Sequence, residues 1–415
     1  MSMLIYPTAA KALPPTLSYA DVERKRSFKP LQTFADEVDR VFRYPCSIRR
    51  MLKMSAAMKD QFREKLQKSD ACMLPSYCRS AGSDGMIIHH MTSNKIDEPI
   101  RRLRGTLFFE WMAAKIQAML AECLEARPKD QVIALGLTWS FPLEQTSYRT
   151  GKIQAMGKGF QCAHDNLGAD LAALLENACT TLGLAVRVEA IINDGAATLL
   201  SQAYLEPTTS MGLILGTGTN AAAFLPTLSM GRSKFGLRSP SWFTRAEKVI
   251  VNTESSMFGG GILPRSNWDE VLNRNHALPD FQPLEYMTTG RYLGELMRLI
   301  VLDAVQSCNM FGGTIPAELL EPYSLDTAIL AQIEEDQSSD MKDTSVLLVQ
   351  AFGLLDPPSR SSSHSYVWWP TRYPGEHQLT WQSRFMLCGA YKRKLRSHRN
   401  RPLRQRKHQL LATAV

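Results

Sequence analysis

Between Leu31 and about Lys68, apolar residues recur at helical spacing. They do so first in LQTFADEVDRVF and then in IRRMLKMSAAMKDQFREKLQ, with a break at Tyr44-Pro45, because proline cannot continue the hydrogen-bond ladder. Residues 73–99, MLPSYCRSAGSDGMIIHHMTSNKIDEP, read as a polar connector with one short apolar patch at Met86-Ile87-Ile88. A further helix is predicted over 103–126, which is rich in Leu, Ala and Met. The apolar run QVIALGLTWSF (131–141) ends in small polar residues and predicts a buried strand. FQCAHDNLGADLAALLENACTTLG (160–183) puts Leu167, Leu171, Leu174, Leu175 and Cys179 on one helical face and closes on Gly183. A strand at 186–194, a helix at 195–206 and a third strand at 211–224 running into a glycine turn complete the pattern. Strands alternating with helices argue for an α/β layered fold, with ligands at the strand ends.

The chain's 415 residues suggest two domains, and 44% hydrophobic with 21% charged residues excludes wholesale disorder. No apolar run approaches the ~18–20 residues of a membrane helix. The start, MSMLIYPTAAKALPP, is too short and proline-broken for a signal peptide. Residues 1–30 are expected to form a loose leader and 357–415 to be poorly ordered. Cysteines 46, 72, 78, 123, 162, 179, 308 and 388 include no CxxC pair. They read as reduced thiols of an intracellular protein, not as a disulfide framework or a metal site. The net charge is +8, but KRKLRSHRNRPLRQRK (392–407) carries nine Lys/Arg and no acid, so the body without it is near −1. A globally basic nucleic-acid-binding domain is therefore not supported. The expected location is cytoplasmic. The basic run reads either as a solvated terminus or as a nuclear import signal.

Four strand ends carry candidate chemistry: Ser140-Phe141-Pro142, Asn193-Asp194, Gly216-Thr217-Gly218-Thr219-Asn220, and Val251-Asn252-Thr253-Glu254. In one sheet, they would converge on a cleft lined by carboxylates, amides, hydroxyls and backbone N–H groups. That lining suits a polyhydroxylated ligand, since each hydroxyl both donates and accepts. A carboxylate such as Asp194 can take a proton from a hydroxyl nucleophile. The glycines of GTGTN allow close approach to a phosphate. Taken singly, Asp194 equally suits a helix N-cap, GTGTN an ordinary turn, Lys158 a solvated loop, and Glu254 and Glu285 the surface.

Taken together and in order, the motifs resemble the hexokinase signature. LGLTWSFPLEQTSYRTGKIQAMGKGF is similar to the segment in which Ser-Phe-Pro, Thr-Ser and a Lys-Gly-Phe loop line the sugar cleft. IINDGAATLLSQAY, LILGTGTNAA, VNTESSMFGGG and LEYMTTGRYLGELMRL follow in family order, and QFREKLQKSDACMLPSY resembles the family's lead-in. The resemblance covers roughly residues 35–310. It implies an actin-like (ribonuclease H-like) two-domain α/β sugar kinase with a truncated small domain. The expected units are 31–185, with the sugar loop, and 186–356. Asp194 matches the base that deprotonates a hexose 6-hydroxyl for attack on MgATP, with Mg²⁺ arriving on the nucleotide. Ser140, Phe141, Pro142, Lys158, Asn193, Asn220, Glu254, Gln282 and Glu285 match sugar-binding positions, and Gly216, Thr217, Gly218 and Thr219 the phosphate turn.

The sequence also departs from that pattern. Where hexokinases carry a first phosphate loop, Asp-Leu-Gly-Gly-Thr-Asn, this chain has the shorter SDGMIIHHMTSNKIDEP. Gly157 stands in place of a threonine, and Ser255-Ser256 in place of Trp-Gly. The glycine-rich adenosine-binding turn is not visible in 357–415. Two functions follow: an ATP-dependent hexose kinase, or a hexokinase-like regulator that binds sugar or protein partners without turnover.

Overall fold

The computed structural model describes residues 28–76, 90–123, 132–236, 238–336 and 342–352. The leader up to residue 27, the 77–89 part of the connector and everything from 353, with the basic run, lie outside these residues. Helices α1 (Leu31–Arg43) and α2 (Ile48–Lys68) flank a 3₁₀ turn at Tyr44–Cys46, so the chain breaks where Pro45 requires it. A short β1 (Leu74–Pro75) follows, then α3 (Glu98–Arg101) and α4 (Leu107–Cys123). Next come β2 (Ile133–Trp139), β3 (Leu143–Gln145), β4 (Gly151–Ile153), α5 (Ala163–Asn166), α6 (Leu171–Thr181), β5 (Val186–Asn193) and α7 (Asp194–Leu205). The remainder holds β6 (Met211–Leu215), β7 (Thr219–Pro226), α8 (Pro240–Arg245), β8 (Lys248–Asn252) and α9 (Asn267–Asn275). It ends with α10 (Pro283–Thr288), α11 (Gly290–Cys308), α12 (Thr327–Glu335) and α13 (Lys342–Phe352).

The strands do not share one sheet. β2 and β5 form a parallel pair, β3 and β4 a hairpin, and β1-β8-β7-β6 an antiparallel sheet of four. The expected single strand at 211–224 is two strands, β6 and β7, because the glycines at 216–218 reverse the chain into a hairpin. The run at 131–141 is not a fully buried strand. β2 pairs only with β5 among the described residues, and Ala134, Gly136 and Thr138 on its second face are exposed. The helix expected over 160–183 begins at Leu171. Gly168 has φ +78°, outside helical space, and the Asp170 carboxylate caps the new start by accepting from Ala173 N at 3.0 Å. Leu167 consequently lies off the apolar face, 58% exposed.

Packing assigns these elements to several cores. Phe108 and Phe109 of α4, Trp139, Phe160, Leu171, Leu175, Val188 and Ile191 make one. Met58, Cys72 and Met73 pack with Phe235, Val251 and Phe258, while Phe34 and Val38 join Tyr292, Leu296, Ile300 and Phe352. α1 and α2 thus pack on the C-terminal half, whereas the sequence grouped them with 103–185. α11 is pinned by a buried ion pair, in which Arg298 binds Glu295 through two 2.7 Å hydrogen bonds and donates to Leu319 O at 2.7 Å. Of the described cysteines, 72, 162 and 179 are buried thiols whose pKa values burial raises, to about 11 for Cys162.

Candidate active site

The last residue of β5, Asn193, is also the N-cap of α7, and its side chain accepts from Gly195 N at 2.8 Å. Capping therefore falls to Asn193, which leaves Asp194 in the first turn of the helix, half-buried at the strand end. The Asn193 amide also donates to Trp139 O at 3.3 Å, tying the end of β5 to the end of β2 beside Ser140. From Asn193 a polar chain crosses into the second sheet. Asn220 donates to Asn193 Oδ1 at 3.3 Å and to Asn252 Oδ1 at 2.8 Å, and Asn252 donates to Glu254 Oε1 at 2.8 Å. The Asn220 oxygen accepts from Ala221 N at 2.7 Å and from Ser255 N at 3.4 Å. The convergence expected within one sheet is thus made between two, through asparagines at the ends of β5, β7 and β8.

Glu285 approaches from α10. It is 2% exposed, and its Oε2 accepts from Thr219 N at 3.0 Å. Lys158 comes from the loop after β4. A Cβ placed on Gly218 would lie 2.6 Å from Lys158 Nζ and 2.7 Å from Glu285 Oε2, so this glycine admits both side chains. Lys158 has φ +59° and Glu254 φ +49°, left-handed backbone that non-glycine residues seldom adopt and that clusters at functional sites. Phe141 sits under the ammonium, with Lys158 Nζ 5.4 Å from its ring centroid, and packs edge-on against Phe160. Pro142 is buried behind the loop and accepts from Gln154 N at 3.3 Å. Gln282, 5% exposed, donates to Ser256 Oγ at 3.0 Å.

Two carboxyl groups in one buried patch disturb each other's ionisation. Glu254, 4% exposed, has its pKa pushed up to about 8, chiefly by burial. The Asn252 hydrogen bond and Lys158 oppose the shift, while Asp194 and Glu285 add to it. Burial likewise raises Glu285, against Lys158 and the Thr219 N–H, which lower it. Near neutrality Glu254 therefore keeps a proton it can donate. The buried Oε1 atoms of Glu285 and Gln282 and the Ser255 hydroxyl have no hydrogen-bond partner among the described residues. Buried acceptors left unpaired are costly, so they point to a ligand that supplies hydroxyl hydrogens.

Glu254 and Glu285 are thus buried, not surface acids. The glycine turn divides: Gly216 and Thr217 are exposed at the rim, while Gly218 and Thr219 are buried within the site. Thr219 is committed through both donors, its N–H to Glu285 and its hydroxyl to Ile214 O at 3.1 Å. Gly216 N bonds Gly218 O at 2.9 Å, which leaves the N–H groups of Thr217 and Gly218 without a backbone partner among the described residues. Sequence reasoning missed Asn252 and Ser256 as parts of the site. Asn252 carried a signal, standing two residues before Glu254 at a strand end. Ser256 carried none beyond its departure from the family pattern.

Two family models described as Hexokinase match residues 81–204 and 210–367, together more than half of the chain. Hexokinase-1 of Nicotiana tabacum is 31% identical over 268 residues, 63% of this chain and 52% of the relative. Hexokinase-1 of Saccharomyces cerevisiae is 30% identical over 270 residues, 64% of this chain and 53% of the relative. The chain therefore spans about half the length of the curated relatives it matches. A solved structure, the hexokinase from Schistosoma mansoni complexed with glucose, superposes with a TM-score of 0.73 at 25% identity, covering 90% of this chain and 87% of that one. The architecture is the actin-like two-domain sugar-kinase fold, and the chain is a divergent member of the hexokinase family.

Proposed function

We propose that this chain binds a hexose of the glucose type and transfers the γ-phosphoryl group of MgATP to its 6-hydroxyl. The observation that carries the reading is the buried polar patch of Asn193, Asn220, Asn252, Glu254, Gln282 and Glu285, with carboxylate and amide oxygens that have no partner of their own. A sugar hydroxyl donates into those oxygens and accepts from Asn amides, Lys158 and the protonated Glu254. In this reading Asp194 takes the 6-hydroxyl proton as the oxygen attacks phosphorus, and Lys158 with the amides holds the ring in line. MgATP enters as a substrate. The Thr217 and Gly218 N–H groups at the turn are placed to meet its phosphates. The proposed setting is the cytoplasm, consistent with the lack of any membrane-crossing helix among the described residues. A fluorescent reporter fused to residues 385–415 that accumulated in the nucleus would move that setting.

A second reading, a sugar-binding regulator without turnover, is favoured by one observation: 83–99 contains no Gly-Gly-Thr loop. Asp194→Ala separates the two. If the chain is a kinase, a coupled glucose-6-phosphate assay shows a rate about 10²–10⁴-fold lower in the variant, the usual worth of a general base, with glucose affinity kept within a few-fold. Turnover unchanged in Asp194→Ala would remove this residue as the base, and wild-type sugar binding without turnover would favour the regulator.

A further inference from the structure

The two departures at Gly157 and Ser256 meet at one side chain. Gln282 lies between them at the N-terminus of α10, three residues before Glu285. Its Nε2 donates to Ser256 Oγ at 3.0 Å, and the serine is itself almost wholly buried. Its Oε1 is buried, has no partner among the described residues, and lies over Gly157, where an added Cβ would sit well inside 3.0 Å of it. Gly157 does not have a left-handed φ, so its backbone would accept a side chain; the Gln282 amide is what forbids one. Gly157 also precedes Lys158, whose ammonium shares the Gly218 surface with Glu285, so this contact continues the wall already described.

We infer that Gly157, Ser256 and Gln282 are a coupled set that forms one rebuilt wall of the sugar pocket. Ser256 holds the Gln282 amide in the room left by the missing side chain at 157, and the amide oxygen accepts a hydrogen from one hydroxyl of the bound hexose. Gly157 and Ser256 are positioning residues, and Gln282 makes the contact. The sugar part of this inference rests on the proposed hexose binding, whereas the coupling of the three residues does not. An amide oxygen only accepts, so the hydroxyl that faces it must donate. A fluorine at that ring position would be as poor a substitute as a hydrogen.

The coupling is tested by thermal unfolding of the ligand-free chain as wild type, Gly157→Thr, Ser256→Gly and the double variant. Gly157→Thr is expected to lower the midpoint by about 2–4 °C, the shift produced by losing one buried hydrogen bond in a domain of this size. Ser256→Gly, harmful alone, is expected to recover most of that loss in the double variant by releasing the amide. Simple addition of the two single shifts would overturn the coupled wall. The contact is tested by calorimetry with D-glucose and its monodeoxy and monodeoxyfluoro analogues. At one ring position both analogues should bind at least about tenfold more weakly than glucose, and Gln282→Ala should abolish that penalty at that position alone. A wild type that binds glucose with no penalty traceable to Gln282 would overturn the contact. A wild type that binds no glucose at all would overturn the hexose reading, and the unfolding cycle would still decide the coupling.

Discussion

Asn220, at the start of β7, is buried and held by four hydrogen bonds to neighbours from three other segments. Four residues earlier, Gly216 is exposed, and its described hydrogen bonds run to the backbone of Gly218 and Gly290. The sugar side of the cleft is therefore a preorganised network, in which each amide fixes the next and few rotamers remain to be ordered on binding. The phosphate side, among the described residues, is one turn with two N–H groups to offer. The difference teaches that sugar recognition and phosphoryl transfer are separable in this chain, and that its substitutions should divide by side.

The sharpest break in the comparison would come from Asn252→Ala. It leaves Asn220 Nδ2 and Glu254 Oε1 without their partner inside a buried patch, at about 1–3 kcal/mol of stability. Chemical denaturation should show that loss, and calorimetry a matching fall in glucose affinity. An unchanged denaturation midpoint would mean that the network is not a preorganised unit. Gly218→Ala sharpens where the border runs. Its methyl group would displace Lys158 or Glu285, so glucose binding should weaken about tenfold, the worth of one hydrogen bond to a charged group, although the residue belongs to the glycine turn. A loss confined to nucleotide affinity would place Gly218 wholly on the phosphate side.

The smallest effect is in the pH dependence of stability. Glu254 binds its proton up to about pH 8 when folded but only to its ordinary value of 4.5 when unfolded. Between those values the folded state holds more protons. This group's contribution to stability is therefore complete below about 4.5 and is lost as pH rises through 8. Glu254→Gln should flatten that part of the profile, so that the variant gains on wild type between pH 5 and pH 8.5. Parallel profiles would show that Glu254 ionises normally.

Much of this was legible in the residues themselves. The helix break at Pro45, the helix after β5 and the polar strand ends follow from local chemistry that tertiary packing had no reason to override. The division of strands into two sheets was not legible, because an apolar run such as 131–141 reads alike whether one or both faces are covered. The start of α6 was misread because Leu167 fits the helical spacing, while Gly168 and Asp170 together favour a new start. Asn252 was hidden by its neighbour: Glu254 carries the charge that draws attention, but its ionisation and orientation depend on an uncharged amide two residues away. The coupling of Gly157 to Ser256 spans about a hundred residues and is visible only once Gln282 is seen between them.

The most direct measurement of the central claim is a calorimetric titration of D-glucose into the purified chain. The account expects saturable binding at a single site that is weakened in Asn252→Ala and largely kept in Asp194→Ala. No heat of binding in the wild type, or binding that Asn252→Ala leaves unchanged, would contradict the claim that the asparagine and glutamate network at the ends of β5, β7 and β8 is a hexose site.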